Sequence, residues 1–233
     1  MSFIRRPSTE RGGENMGWLD SKHSFSFGHY YDPGHMGYRA LRVINEDRVR
    51  PGKGFGRHGH RDMEIISYVV SGALAHADTL GSKGVLKRGD VQAMSAGTGV
   101  EHSEFNGSDA EDVHFLQIWI LPEAGNLPSA YAQINVPDEE KRDRLRLLVS
   151  PDGAEGSLRI NQDARLYASI LEAGARVEHQ LAAGRGAWVQ VVAGTLAVNG
   201  KVLEAGDGAA IEDVDTVTVT ASDTAEFLLF DLA

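Results

Sequence analysis

The chain carries one short pattern twice. Tyr68-Val-Val-Ser-Gly72-Ala-Leu-Ala75 returns as Gln190-Val-Val-Ala-Gly194-Thr-Leu-Ala197, and Leu86-Lys-Arg-Gly89-Asp90 returns as Leu203-Glu-Ala-Gly206-Asp207. In each copy an apolar run meets a glycine turn and a second apolar run follows, which is the signature of a tight antiparallel hairpin. The two glycines of a copy stand 17 residues apart in the first and 12 in the second, so the second hairpin is shorter, and Asn199-Gly200 is its two-residue turn. A duplicated β unit is therefore the first constraint on the fold.

The rest of the chain agrees with it. Leu41-Arg-Val-Ile44, Met63–Val70, Val91-Gln-Ala-Met94 and Val113–Leu121 read as strands, the last stopped by Pro122. Asp32-Pro33-Gly34 is a turn in an irregular first forty residues rich in glycine and aromatics. The pattern predicts an all-β chain of two antiparallel barrels or sandwiches. The boundaries expected are 1–122 for the first domain, 123–150 for a connector and 151–233 for the second. The terminal strand, Glu226–Leu232, is expected to return to pair near the other domain's sheet.

Composition removes several chemistries. With no cysteine among 233 residues there is no disulfide, thiolate metal site or thiol nucleophile. The formal charge of −10 argues against broad binding to nucleic acid. No apolar run approaches the ~20 residues of a membrane span. The N-terminus lacks the apolar core of a signal peptide, so a cytoplasmic location is the expectation.

Histidine is unevenly spread: eight of nine lie in the first half and only His179 in the second. His58 and His60 are two apart, and so are His102 and Glu104. On strands each pair shares a face. Three imidazoles and one carboxylate form a cage for a divalent first-row metal with coordination positions left for small ligands. Closed structural zinc is the competing use of the same set. Aligning the glycines of the repeat places Gln180 and Ala182 at His58 and His60, and Val219 and Ala221 at His102 and Glu104. His179 then stands one residue out of register and reads as a surface or packing residue. The site is expected in the first copy alone.

Gly52-x5-His58-x-His60-x3-Glu64-x7-Gly72 resembles the first cupin motif, and Gly89-x5-Ser95-x-Gly97…His102-x3-Asn106 resembles the second. Gly17-Trp-Leu-Asp-Ser, His23-Ser-Phe-Ser-Phe27, Gly54-Phe-Gly56, Asp62-Met-Glu64-Ile and Met94-Ser-Ala-Gly-Thr-Gly99 are similar to the bacterial branch of the pirin family. The likeness runs over nearly the whole chain. It implies a bicupin of two double-stranded β-helix (jelly-roll) domains with a few short helices, and a metal in the N-terminal one only.

The resemblance implies His58, His60, His102 and Glu104 as ligands of an iron-type metal. Fe(II) is the first expectation, and the N/O donor set also accepts Cu, Ni, Mn, Co or Zn. The general cupin glutamate ligand would fall at Ile65, so Glu104 takes that part and Glu64 becomes a supporting or surface residue. Asp62 could steady a ligand imidazole; Phe55 and Gln117 are pocket candidates. His114 flanks the site and His76 is placed on a solvent-facing strand. The implied activity is dioxygenase cleavage of a flavonol-like substrate with O2, Glu104 serving as ligand and base. The alternative is a metal- or redox-dependent regulator binding a transcription factor or metabolic enzyme.

Overall fold

The computed structural model describes residues 1–233. Nearly all regular structure is antiparallel strand. The helices are single turns at Ser8–Glu10, Asp138–Lys141 and Ala154–Gly156.

The chain forms two compact units. The first spans residues 12–136 with 158–162. Its larger sheet has the order Ala130–Asn135, Asp90–Ser95, Glu64–Ser71, Val113–Ile120, Leu41–Val49, Leu19–His23 and Gly12–Asn15. Its smaller sheet has the order Gly54–His60, Val100–Asn106, Ala73–Asp78 and Lys83–Lys87. Leu19, Val49, Val69, Val113 and Phe115 of the large sheet pack with Leu74 and Leu86 of the small one, all buried. This core closes the two inner faces on each other, as period-2 alternation on each strand requires.

The second unit holds residues 1–11, 137–157 and 163–233. It too has a large sheet, running Ser2–Arg6, Gly208–Glu212, Gly186–Ala193, Ala225–Leu232, Ala164–Leu171 and Arg146–Ser150. Its small sheet runs Arg176–Gln180, Thr216–Ala221, Thr195–Val198 and Lys201–Glu204. Val189, Phe227 and Leu229 of the first sheet pack with Leu196 and Val219 of the second.

Two expectations are corrected. Ala225–Leu232 pairs with Ala164–Leu171 and Gly186–Ala193 of its own unit, a central place in the sheet that suits a strand buried along its whole length. It is the N-terminal Ser2–Arg6 that departs from the order of the sequence: it pairs with Gly208–Glu212, and the Arg5 guanidinium grips Asp207. The compact units accordingly differ from boundaries at 122 and 150, since Ala130–Asn135 continues the first unit's sheet against Asp90–Ser95.

The repeat is visible in backbone detail. Gly72 (φ +78°) and Gly194 (φ +77°) adopt the same left-handed conformation. A Cβ on Gly72 would stand 2.5 Å from the Asp112 carbonyl oxygen, and one on Gly194 2.4 Å from that of Thr224. Both turns thus need glycine twice over, for φ and for close approach. By contrast Gly81 (φ +94°) has open space around it. In urea titrations Gly81→Ala is expected to lose about 1–2 kcal/mol, the cost of the left-handed backbone alone. Gly72→Ala should lose at least twice as much, and equal losses would contradict the close-packed turn.

Candidate metal centre

Val100–Asn106 runs antiparallel between Gly54–His60 and Ala73–Asp78. The ladder sets His102 opposite His58 and Glu104 opposite Phe55. The spacing is unequal because Gly56-Arg57 holds one extra residue, a bulge that re-aims the strand. His58 and His60, two apart on one strand, turn the same face toward His102.

The result is a convergence of three ring nitrogens. His102 Nε2 lies 2.9 Å from His60 Nε2 and 3.1 Å from His58 Nε2. Adjacent ligands of an octahedral ion at about 2.1 Å stand about 3.0 Å apart, so the spacing suits a first-row divalent ion. The rings are prepared for one. The Nδ1–H of His58 donates to the Gly56 carbonyl at 2.8 Å, which leaves its Nε2 lone pair free. Burial, then the charge of His58, lowers the pKa of His60 to about 4. Burial, then His58 and His60, lowers that of His102 to about 3. Both rings are neutral and available as ligands at neutral pH.

Glu104 stands deeper, its carboxylate wholly enclosed. Oε1 accepts from the Ser67 hydroxyl at 3.2 Å and Oε2 from the Gln117 amide at 2.9 Å. Burial raises its pKa to about 7, with Asp47 adding to the rise and the hydrogen bonds opposing it. Its ligand atoms lie within 4.8 Å of those of His76 and His102, whereas the tight convergence comprises His58, His60 and His102. Glu104, His58 and His60 nevertheless line one cavity of about 100 Å³, together with Gln117 and Phe55. Phe27, Phe115 and Trp119 supply further aromatic wall, and Trp119 meets the His60 ring edge-on at 5.0 Å. The site thus joins a metal-ready imidazole cluster to a small aromatic-walled chamber.

Other sequence candidates fall elsewhere. Glu64 is buried outside the cavity, its carboxylate taken by Ser95 (2.6 Å) and Asn161 (3.0 Å), because it lies on the opposite face of its strand from Ser67. Asp62 touches no imidazole. It takes the Asn126 amide at 2.6 Å, and the Gly56 carbonyl does the steadying of His58. His114 pairs with Glu46 at 2.9 Å, away from the chamber. His76, expected in solvent, is buried beneath the site. Asn45 and Asp47 were missed. They line the cavity, and no local signal set them apart, because Arg42, Glu46 and Arg48 on the same Leu41–Val49 strand are polar as well.

The second unit corrects the reading of His179. Asn106 N–H donates to Lys53 O and Gly107 N–H to Ala73 O; likewise Ala221 N–H donates to Ala175 O and Ser222 N–H to Thr195 O. With these anchors Val219 opposite Val177 corresponds to Glu104 opposite Phe55, and His179 opposite Val217 to His58 opposite His102. His179 therefore holds the place of His58, and the bulge in the first unit accounts for the apparent one-residue slip. The other three positions are Leu181, Val217 and Val219, so no cage forms. His179 instead bonds Asp231 at 2.8 Å.

Asp47 yields a pH test. Burial raises its pKa from 3.8 to about 7. The folded chain then keeps a proton that the unfolded chain releases, so this contribution to stability is complete below about pH 4 and lost as pH rises through about 7. Asp47→Asn has no such proton. In metal-free protein its melting temperature should match the parent's near pH 4 and gain on it steadily toward pH 8. A difference independent of pH would show that Asp47 is ionised in the fold.

Comparison with known proteins places this arrangement. Residues 5–120 match the family described as pirin, and residues 147–232 the quercetinase C-terminal cupin domain. The chain is 45% identical to quercetin 2,3-dioxygenase of Escherichia coli (strain K12), covering all of this chain and 99% of the relative. It is 43% identical to a pirin-like protein of Caulobacter vibrioides, covering 98% and 99%. Among solved structures, the bacterial pirin YhhW from Escherichia coli in complex with nickel(II) superposes with a TM-score of 0.94 at 44% identity, covering 99% of each chain. A bicupin with its imidazole cluster in the first unit, this chain belongs to the pirin family.

Proposed function

We propose that this chain is a metal-dependent dioxygenase of the quercetinase type, cleaving a flavonol-like substrate with O2, with His58, His60, His102 and Glu104 as the metal ligands. The observation that carries the reading is the juxtaposition in one cavity. Three imidazole nitrogens converge, with His102 Nε2 2.9 Å from His60 Nε2 and 3.1 Å from His58 Nε2, beside a buried carboxylate, and aromatic rings line the same cavity. The relative named quercetin 2,3-dioxygenase, similar over its full length, supports it. Fe(II) is the metal we propose, and the cytoplasm the location.

The metal, when bound, acidifies a coordinated hydroxyl and brings it together with dioxygen. The chain's own residues do the rest. Phe55 and Trp119 hold a flat ring against the imidazoles and keep water from it. Glu104 takes the proton of the substrate's 3-hydroxyl onto a carboxylate oxygen. Ser67 and Gln117, donating to that carboxylate, hold its orientation before and after the transfer.

Iron-loaded protein with quercetin is expected to consume oxygen in an electrode cell and release carbon monoxide. His60→Ala should lose the metal by elemental analysis and the oxygen uptake with it. Glu104→Gln should retain metal within about tenfold, while turnover falls 10²-fold or more, the usual worth of a positioned base. Oxygen uptake absent from fully loaded parent protein would remove the dioxygenase reading. Full turnover in Glu104→Gln would remove the base.

A further inference from the structure

One polar row crosses the inner face of the first unit's large sheet. In the ladders Gln92 stands opposite Ser67, Ser67 opposite Gln117, Gln117 opposite Asn45 and Asn45 opposite His23. Five neighbouring strands thus each place a polar residue at one level, and all five are buried. Such a row carries a desolvation cost on every strand. The fold does not demand it. The sister unit's large sheet puts Ala209, Val189, Leu229, Tyr167 and Leu147 at the five matching places. Four of these are apolar and buried, and the fifth is a partly buried tyrosine.

The neighbours of Asn45 in the row are already committed. Gln117 accepts from the Ser67 hydroxyl at 2.8 Å and donates to Glu104 at 2.9 Å. On the other side, His23 bonds Ser21 at 2.8 Å. Asn45 interrupts the chain of bonds: its Oδ1 is buried with no hydrogen-bond partner. Asp47 lies two residues on, and its Oδ1 is buried in the same condition. Asn45 is 3% exposed and Asp47 4%, and both line the chamber that Glu104, His58 and His60 share.

Two unfilled acceptors in an enclosed wall are costly unless something brought into the chamber supplies a donor. A hydroxyl does so; a carbonyl, an ether oxygen or a bare ring edge does not. The ladder also says where that hydroxyl must be. Adjacent strands stand about 4.8 Å apart, so Asn45 lies about one ring's width from Gln117, which holds Glu104. Phe115 and Trp119 flank Gln117 at i−2 and i+2 and line the same chamber, which suits a flat ring laid along the row.

We propose that Asn45, with Asp47 beside it, is a specificity-determining residue that accepts a hydrogen bond from a second hydroxyl of the substrate, about one ring's width from the hydroxyl that meets Glu104. This rests on the flavonol reading above and narrows it to polyhydroxylated ligands. A ligand with the metal-facing hydroxyl alone would enter the chamber and leave both oxygens unpaired.

The test compares quercetin with 3-hydroxyflavone, which has the metal-facing hydroxyl and no other. Protein incubated with Fe(II) and titrated without oxygen, with binding followed by tryptophan fluorescence, should bind quercetin at least about tenfold more tightly. That preference should shrink by about tenfold in Asn45→Leu, an apolar change of the kind the sister unit's row already carries, and likewise in Asn45→Ala. A general packing defect would weaken both ligands together and leave the preference intact. Equal affinity of the parent for the two ligands, binding of neither, or an intact preference in both variants overturns the proposal. Oxygen uptake with the same KM for both flavonols would overturn it too and leave the dioxygenase reading standing. A preference lost in the variants, in a parent that consumes no oxygen with either ligand, would uphold the proposal and remove the dioxygenase reading instead.

Discussion

The pairing of Val100–Asn106 with Gly54–His60 is the constraint from which the site follows. One backbone ladder sets His102 against His58, and one bulged residue at Gly56-Arg57 turns His58 and His60 toward it. Without the ladder His102 is distant in sequence from His58 and His60 and shares nothing with them. Without the bulge, His58 would fall on the other face of its strand, as any one-residue shift in a period-2 structure demands. The Gly56 carbonyl that re-aims the chain also receives the His58 proton, so the same local distortion sets both the position and the tautomer of a ring.

The interior behind the imidazoles is polar in one unit and apolar in the other. Ser67, Glu104 and Gln117 form a hydrogen-bonded trio in the first unit, and the register gives Val189, Val219 and Leu229 at the matching places in the second. Both units close their sheets around a continuous core, so these polar groups are dispensable to the architecture. Their burial carries a desolvation cost, visible in the raised pKa values of Glu104 and Asp47. Retaining such groups in one copy is what a chemical site looks like when the scaffold is duplicated and only one copy is used. The sister unit resolves the same demand differently, tying its one inherited histidine, His179, to Asp231, which Arg185 also holds.

How much was legible differs by residue. His58 and His60 could be read because both lie on one strand, where i and i+2 share a face by geometry alone. The repeat could be read because its glycines answer a local demand of the backbone. His76, Asn45 and Asp47 could not, since whether a polar residue on a strand faces the core or the solvent depends on which sheet covers it. Asp62 and Glu64 were drawn toward the site by nearness in sequence, and the fold spends both carboxylates on other loops and strands. His179 was misplaced by one residue because a bulge leaves no mark on a glycine-to-glycine count.

The amino-acid sequence by itself determined an all-β duplication, the absence of thiol chemistry, and a concentration of imidazole and carboxylate in the first copy. These follow from turn stereochemistry, alternation and composition, all of which act within a few residues along the chain. Only the tertiary structure decided that the N-terminal strand completes the second unit, that His179 is the counterpart of His58, and that one polar row crosses the inner face of the first unit's large sheet. Each of these depends on hydrogen-bond register between strands far apart in sequence, and register is set by the packing of whole sheets.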